Sequence, residues 1–128
     1  MRVLLDTHAF LWWVTDDPQL SSTSRSIIAD SGNLLFLSVA SVWEIVIKTK
    51  SGKLTLPEPV EEYIPNRLAL NRFQSLDIQM THTLQVATLP NIHRDRFDRI
   101  LIAQSQVENL PIVTIDQKIA QYSVETIW

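Results

Sequence analysis

The sequence predicts an α/β fold, a mainly parallel sheet covered by helices on both faces. Three observations carry this. Short apolar runs of strand length alternate with segments of helical spacing, the order of βαβ units. Those runs are continuous rather than alternating apolar and polar, as in strands buried on both faces. The 128 residues contain only two glycines and no repeat, low-complexity tract or obvious linker, which points to one domain over residues 1–128.

RVLL (2–5) is the first strand, ending at Asp6. THAFLWWVT (7–15) has helical spacing, with His8, Leu11 and Trp12 on one side. DDPQLSS is a turn around Pro18, and Ser21 or Ser22 caps a helix that runs through Ala29 and stops at Ser31-Gly32. LLFLS (34–38) is a second strand, followed by a helix from about Val39 to Lys50 that Gly52 ends. Residues 57–71 read as two short helical pieces, because Pro65 should break or kink the run. FQSLDI (73–78) is a third strand and MTHTLQVATLP (80–90) a helix closed by Pro90. RFDRILIAQSQVE (96–108) is the long helix, PIVTI (111–115) a strand, DQKIAQYS (116–123) a short helix and VETIW (124–128) a last strand.

A chain of this length that is 45% hydrophobic buries roughly two-thirds of its unfolded surface and needs no staples. It has no cysteine, hence no disulfide framework and no thiolate metal site, in keeping with a cytoplasmic location. The N-terminal stretch, interrupted by Asp6, resembles neither a signal peptide nor a membrane span of about 18 apolar residues. The net charge of −3 argues against coating nucleic acid through bulk positive charge. Nucleic acid stays open as a substrate, because eight of the eleven Lys and Arg lie between Lys48 and Arg99.

The acids carry the chemistry. Asp6 and Asp116 directly follow strands, and ligands of open parallel sheets bind beyond the carboxyl ends of strands at a switch in strand order. Asp98 opens the helix before PIVTI on the face of Leu101 and Ile102; sequence leaves open whether its rim is that of Asp6. Glu44 sits in mid-helix among Ala40, Trp43, Ile45 and Ile47, a costly place for an unpaired acid. Each has an ordinary reading taken singly. Asp6 and Asp116 could be helix caps, as could Asp95 with Asp98 three residues on, and Glu44 could pair with Lys48. Gathered in one pocket, such carboxylates repel unless a cation lies among them, and oxygen-only ligands suit Mg2+ or Mn2+.

Four segments, LLDTHAFLW, LSVASVWEIVIK, LPNIHRDRFDRILIAQS and PIVTIDQKI, in this order and spacing, resemble the PIN-domain ribonucleases, specifically the VapC-type toxins of toxin–antitoxin pairs. The resemblance covers nearly the whole length. It implies a three-layer α/β/α sandwich and metal-dependent endoribonuclease activity through hydrolysis of RNA phosphodiester bonds. It also implies an antitoxin partner and a homodimer. Asp6, Glu44 and Asp98 fall at the family's metal ligands, and Asp116 at a fourth, less uniform one. Thr7 and Thr114 sit where hydroxyls support the site or touch phosphate. Arg99 is a candidate phosphate contact or partner for a site acid. Where similar sequences have proline after the acid at Asp95, this chain has Arg96; Asp95 remains a cap.

His8, beside Asp6, reads as packed or solvent-facing, since no histidine pair has ligand spacing. Lys48, Lys50 and Lys53 suit the negative end of a helix dipole, with RNA contact, by Lys48 in particular, as the alternative. Trp12, Trp13 and Trp43 read mainly as core, one of the adjacent pair being exposed. A phosphoacceptor signalling domain is disfavoured, because strand one ends in a single acid and the only late lysine, Lys118, lies inside DQKI. A non-catalytic RNA- or protein-binding module on the same fold is the remaining alternative, against which the four acids stand.

Overall fold

The strands are β1 (Arg2–Leu5), β2 (Leu34–Ser38), β3 (Gln74–Leu76), β4 (Ile112–Val113) and β5 (Thr126–Ile127) in a computed structural model that describes residues 1–128. They form one sheet in the order β3-β2-β1-β4-β5, parallel throughout, with Leu5 opposite both Leu37 and Val113. The helices are α1 (Thr7–Val14), α2 (Ser22–Ala29), α3 (Val39–Lys50), α4 (Val60–Asn71), α5 (Met80–Val86) and α6 (Arg96–Glu108). None is long and apolar enough to cross a membrane.

Successive side chains of a strand point to opposite faces, and the core divides accordingly. Val3, Leu5, Leu35 and Leu37 pack with Phe10, Ile28, Ile45, Tyr63 and Ile64 from α1 to α4. Leu4 and Ile112 pack on the other face with Leu101 and Ile102 of α6. The chain runs outward from β1 through β2 to β3, then returns to β4 on the other side of β1. That reversal lies between β1 and β4, and their carboxyl ends carry Asp6 and the segment from Thr114 to Asp116. Because α6 feeds β4 after only residues 109–111, it runs antiparallel to the strands. Its opening turn, with Asp98, therefore lies at the rim of Asp6.

Several elements differ from the sequence expectation. Residues 60–71 form one helix straight through Pro65, and residues 57–59 lie outside it. Buried Tyr63 and Ile64 anchor this helix to the core, which outweighs the one N–H that proline lacks. The third strand spans only Gln74–Leu76, α5 stops at Val86, and the last two strands are two residues each. Residues 116–123 make only a 3-10 turn at Ile119–Gln121, and the Asp116 carboxylate takes the Lys118 N–H (2.8 Å) in an Asx turn. Trp43 is not core but 61% exposed, forming a stripe on α3 with Val39 and Ile47 and meeting Phe97 edge-on. Trp12 and Trp13 are both half-buried, Trp12 against Trp128 and Trp13 donating to Asn71.

Candidate active site

Asp6 is fixed at the junction of β1 and α1. Its backbone is extended, and its side chain caps α1 by accepting the Ala9 N–H at 2.7 Å. The other carboxylate oxygen accepts the Thr114 hydroxyl from beyond β4, so the expected cap and a cross-strand tie coexist. Asp6 is only 5% exposed. Burial pushes its carboxyl above the ordinary range, the Thr114 and Ala9 bonds oppose that, and the charge of Asp116 adds to the rise.

Asp98 stands third in α6, where the Asp95 carboxylate accepts its N–H at 3.0 Å, so Asp95 is the cap. Burial raises the Asp98 carboxyl to about 6, aided by the charges of Asp95 and Asp116 and opposed by His93. The Nε2 of His93 lies 3.0 Å from Asp98 Oδ2, and its Nδ1 lies 2.7 Å from the Tyr122 hydroxyl. Arg99 donates to that hydroxyl at 3.1 Å and to the carbonyls of Pro90 and His93. With Arg99 donating to Tyr122, the phenol proton is free for Nδ1. That leaves the Nε2 proton for the carboxylate, a one-way chain from Arg99 to Asp98. Arg99 thus pairs with no acid of the site; the structure ties it instead to neutral oxygens.

Asp116 repels both Asp6 and Asp98, which puts it near each. Thr114 receives the Asp116 N–H at 3.0 Å, so one hydroxyl binds two of the acids together. Glu44 is held by Thr7, the residue that follows Asp6, whose hydroxyl lies 2.7 Å from Oε1 and 2.9 Å from Ser41. Its other oxygen is 3.1 Å from Lys48 Nζ, so the i,i+4 pair also forms and Lys48 faces an acid. His8 is exposed and stacks obliquely on Trp12.

The donor set therefore fits a hard divalent cation in type and charge, with oxygen ligands only and two carboxylates raised by burial and by the charge of Asp116. No three Asp, Glu or His side chains of the chain stand together around one point as placed. Each acid is turned to a donor of the chain: Asp6 to Thr114 and Ala9, Glu44 to Thr7 and Lys48, Asp98 to His93.

The family model for the PIN domain matches residues 3–125. The chain belongs to the PIN-domain family. Over 60 residues it is 40% identical to Ribonuclease VapC16 of Mycobacterium tuberculosis (strain ATCC 25618 / H37Rv), a match that covers 47% of this PIN domain and 43% of that protein. In fold it is similar to a chain in the crystal structure of VapBC2 from Rickettsia felis bound to a DNA fragment from their promoter. There the TM-score is 0.73 and identity 14%, over 99% of this chain and 98% of that one. It is similar also to a chain of FitAcB from Neisseria gonorrhoeae (TM-score 0.66, 19% identity, 100% and 97% covered) and to one of VapBC-1 from nontypeable Haemophilus influenzae (TM-score 0.67, 16% identity, 99% and 97% covered).

Two members of the PIN-domain site escaped the sequence reading, His93 and Tyr122. His93 precedes α6, where no helical period links it to Asp98, and Tyr122 arrives from 29 residues further on. The density of charge in HRDRFDR was the one signal that pointed there.

Proposed function

We propose that this PIN domain is a metal-dependent endoribonuclease that hydrolyses RNA phosphodiester bonds, the VapC-type toxin of a toxin–antitoxin pair. One observation carries the reading most. Three acids from separate parts of the chain, Asp6, Asp98 and Asp116, share one rim, and the charge of Asp116 bears on the other two, both already raised by burial. Fold neighbours described as VapBC and as a toxin-antitoxin complex from Klebsiella pneumoniae support a cognate antitoxin as partner, and a homodimer completes the proposal.

Asp6, Glu44, Asp98 and Asp116 would hold Mg2+ or Mn2+. The bound ion supplies charge neutralisation at the phosphate and acidifies water. The chain's own residues prepare the acids. Thr114 fixes the rotamer of Asp6 and the backbone of Asp116, and Thr7 holds Glu44 toward the cluster. His93, set by Tyr122, fixes Asp98. Partners of this kind orient a ligand and restrict its reorganisation.

The test is cleavage of total bacterial RNA by the purified chain, with Mn2+ or Mg2+ and then with chelator, beside Asp98→Asn. Discrete fragments that need the metal, and at least about a hundredfold less product from the variant, are expected. Equal cleavage by both proteins would remove Asp98 from the site. Folded, metal-binding protein that leaves every RNA intact would move the assignment to the binding-module alternative.

A further inference from the structure

Beside the acids lies a cationic hollow of about 520 Å³, lined by Asn91, Ile92, His93, Arg94, Arg96 and Arg99. Its three guanidiniums are uncompensated. None forms an ion pair with any carboxylate of the chain. Asp95, between Arg94 and Arg96 in sequence, turns its carboxylate to the Asp98 N–H instead. In a protein of net charge −3, three arginines without an acid partner in one hollow are a local concentration of positive charge. A fixed anion would relieve it.

Position identifies the anion's class. His93 is shared: it lines the hollow and its Nε2 touches Asp98. Hollow and acid rim are therefore neighbours across one imidazole. With a cation at the acids, a ligand that reaches both would present negative charge at short intervals, as a phosphodiester strand does. Arg99 is held by Pro90, His93 and Tyr122 through one terminal nitrogen and forms a wall of the hollow, whereas Arg94 and Arg96 are exposed. Guanidiniums of that kind form paired hydrogen bonds with phosphate oxygens.

We propose that this hollow seats a backbone phosphate of single-stranded RNA next to the one at the acids, with Arg94 and Arg96 as its contacts. The inference rests on the ribonuclease reading and adds a second anchor, which sets the path of the strand over α6. A positively charged groove that follows the backbone is how single strands are held without regard to sequence.

The experiment measures binding of a labelled single-stranded RNA of about 20 nucleotides, across about 50 to 200 mM salt, in a cleavage-silent Asp98→Asn background with chelator present. Arg94→Gln/Arg96→Gln is compared with Lys50→Gln/Lys53→Gln, an equal change of net charge elsewhere. Loss of the contacts to that one phosphate should make the slope of log K against log salt shallower by about 0.7 and weaken binding roughly tenfold or more. The lysine pair should do neither, and Mn2+ binding by the arginine variant with Asp98 restored should be unchanged.

Unchanged slope and affinity in the arginine variant, with RNA still bound, overturn the hollow and leave the ribonuclease reading standing. An equal loss in the lysine variant overturns it in favour of diffuse charge. Unchanged RNA binding together with arginine-dependent capture of polyglutamate assigns the hollow to an acidic protein segment and overturns the RNA proposal. No RNA binding by any form, including wild type with Mn2+, overturns both readings.

Discussion

Burial of Asp98 works against the stability of the metal-free fold. Its carboxyl titrates at about 6 in the folded protein, above the ordinary 3.8. Between those values the folded chain keeps a proton that the unfolded chain has lost. Stability therefore falls as pH rises through that window, and the full deficit is present above it. Asn carries no charge at any pH and can still accept from His93. In metal-free protein, Asp98→Asn should melt higher than wild type at neutral pH, and the gain should shrink as pH falls toward 4. Thermal unfolding with chelator at several pH values measures this; a variant that melts lower at neutral pH refutes it. The position of this acid was readable in advance, because charge at the mouth of an apolar helix face is costly enough to stand out. Its partners were not. The ring of His93 meets Asp98 from a loop, and Tyr122 is brought in by tertiary packing that no local period encodes.

Elements were readable where hydrophobic pattern and caps agree, as in β1, β2, α3 and α6, whose limits match the apolar runs and the capping side chains of Ser38 and Asp95. They were misread where local propensity and packing compete. Proline disfavours the helical region for the residue before it, and that residue is Ile64, 3% exposed in the core. Burial of Tyr63 and Ile64 wins, so α4 continues and the Glu61 carbonyl goes without its usual donor. Pro65 itself is exposed, so replacing it opens no cavity. Pro65→Ala should restore the missing bond and stabilise the fold by about 2 kcal/mol, the helix-interior penalty of proline less the entropy that proline removes from the unfolded chain. Urea unfolding should show a higher midpoint at unchanged slope, with RNA cleavage unaffected. A lower midpoint would mean that α4 depends on the geometry proline imposes.

At the scale of the molecule, topology does what sequence could only suggest. The reversal of strand order between β1 and β4 brings residues 6 and 116 to one crevice, and the antiparallel run of α6 brings Asp98 to the same rim. The fold thus concentrates negative charge at one edge of its sheet, where burial raises two carboxyls. Such a site is a reserve of instability that a divalent cation should discharge. An ion that binds only the folded chain stabilises it by RT ln(1 + [L]/Kd), about 2.7 kcal/mol at a hundredfold excess over Kd, or roughly 10 °C for a domain of this size. Mn2+ added to chelator-stripped protein should raise Tm by that order, and the shift should grow with concentration. The Asp98→Asn/Asp116→Asn double variant should start from a higher Tm, because two repelling charges are gone, yet gain little from Mn2+. The opposite signs of these two effects separate a metal site from simple relief of charge. An equal Mn2+ shift in wild type and double variant would place the ion elsewhere on the protein. A double variant that starts lower than wild type would show Asp98 and Asp116 to be structural partners of His93 and of the Lys118 N–H rather than ligands awaiting a cation.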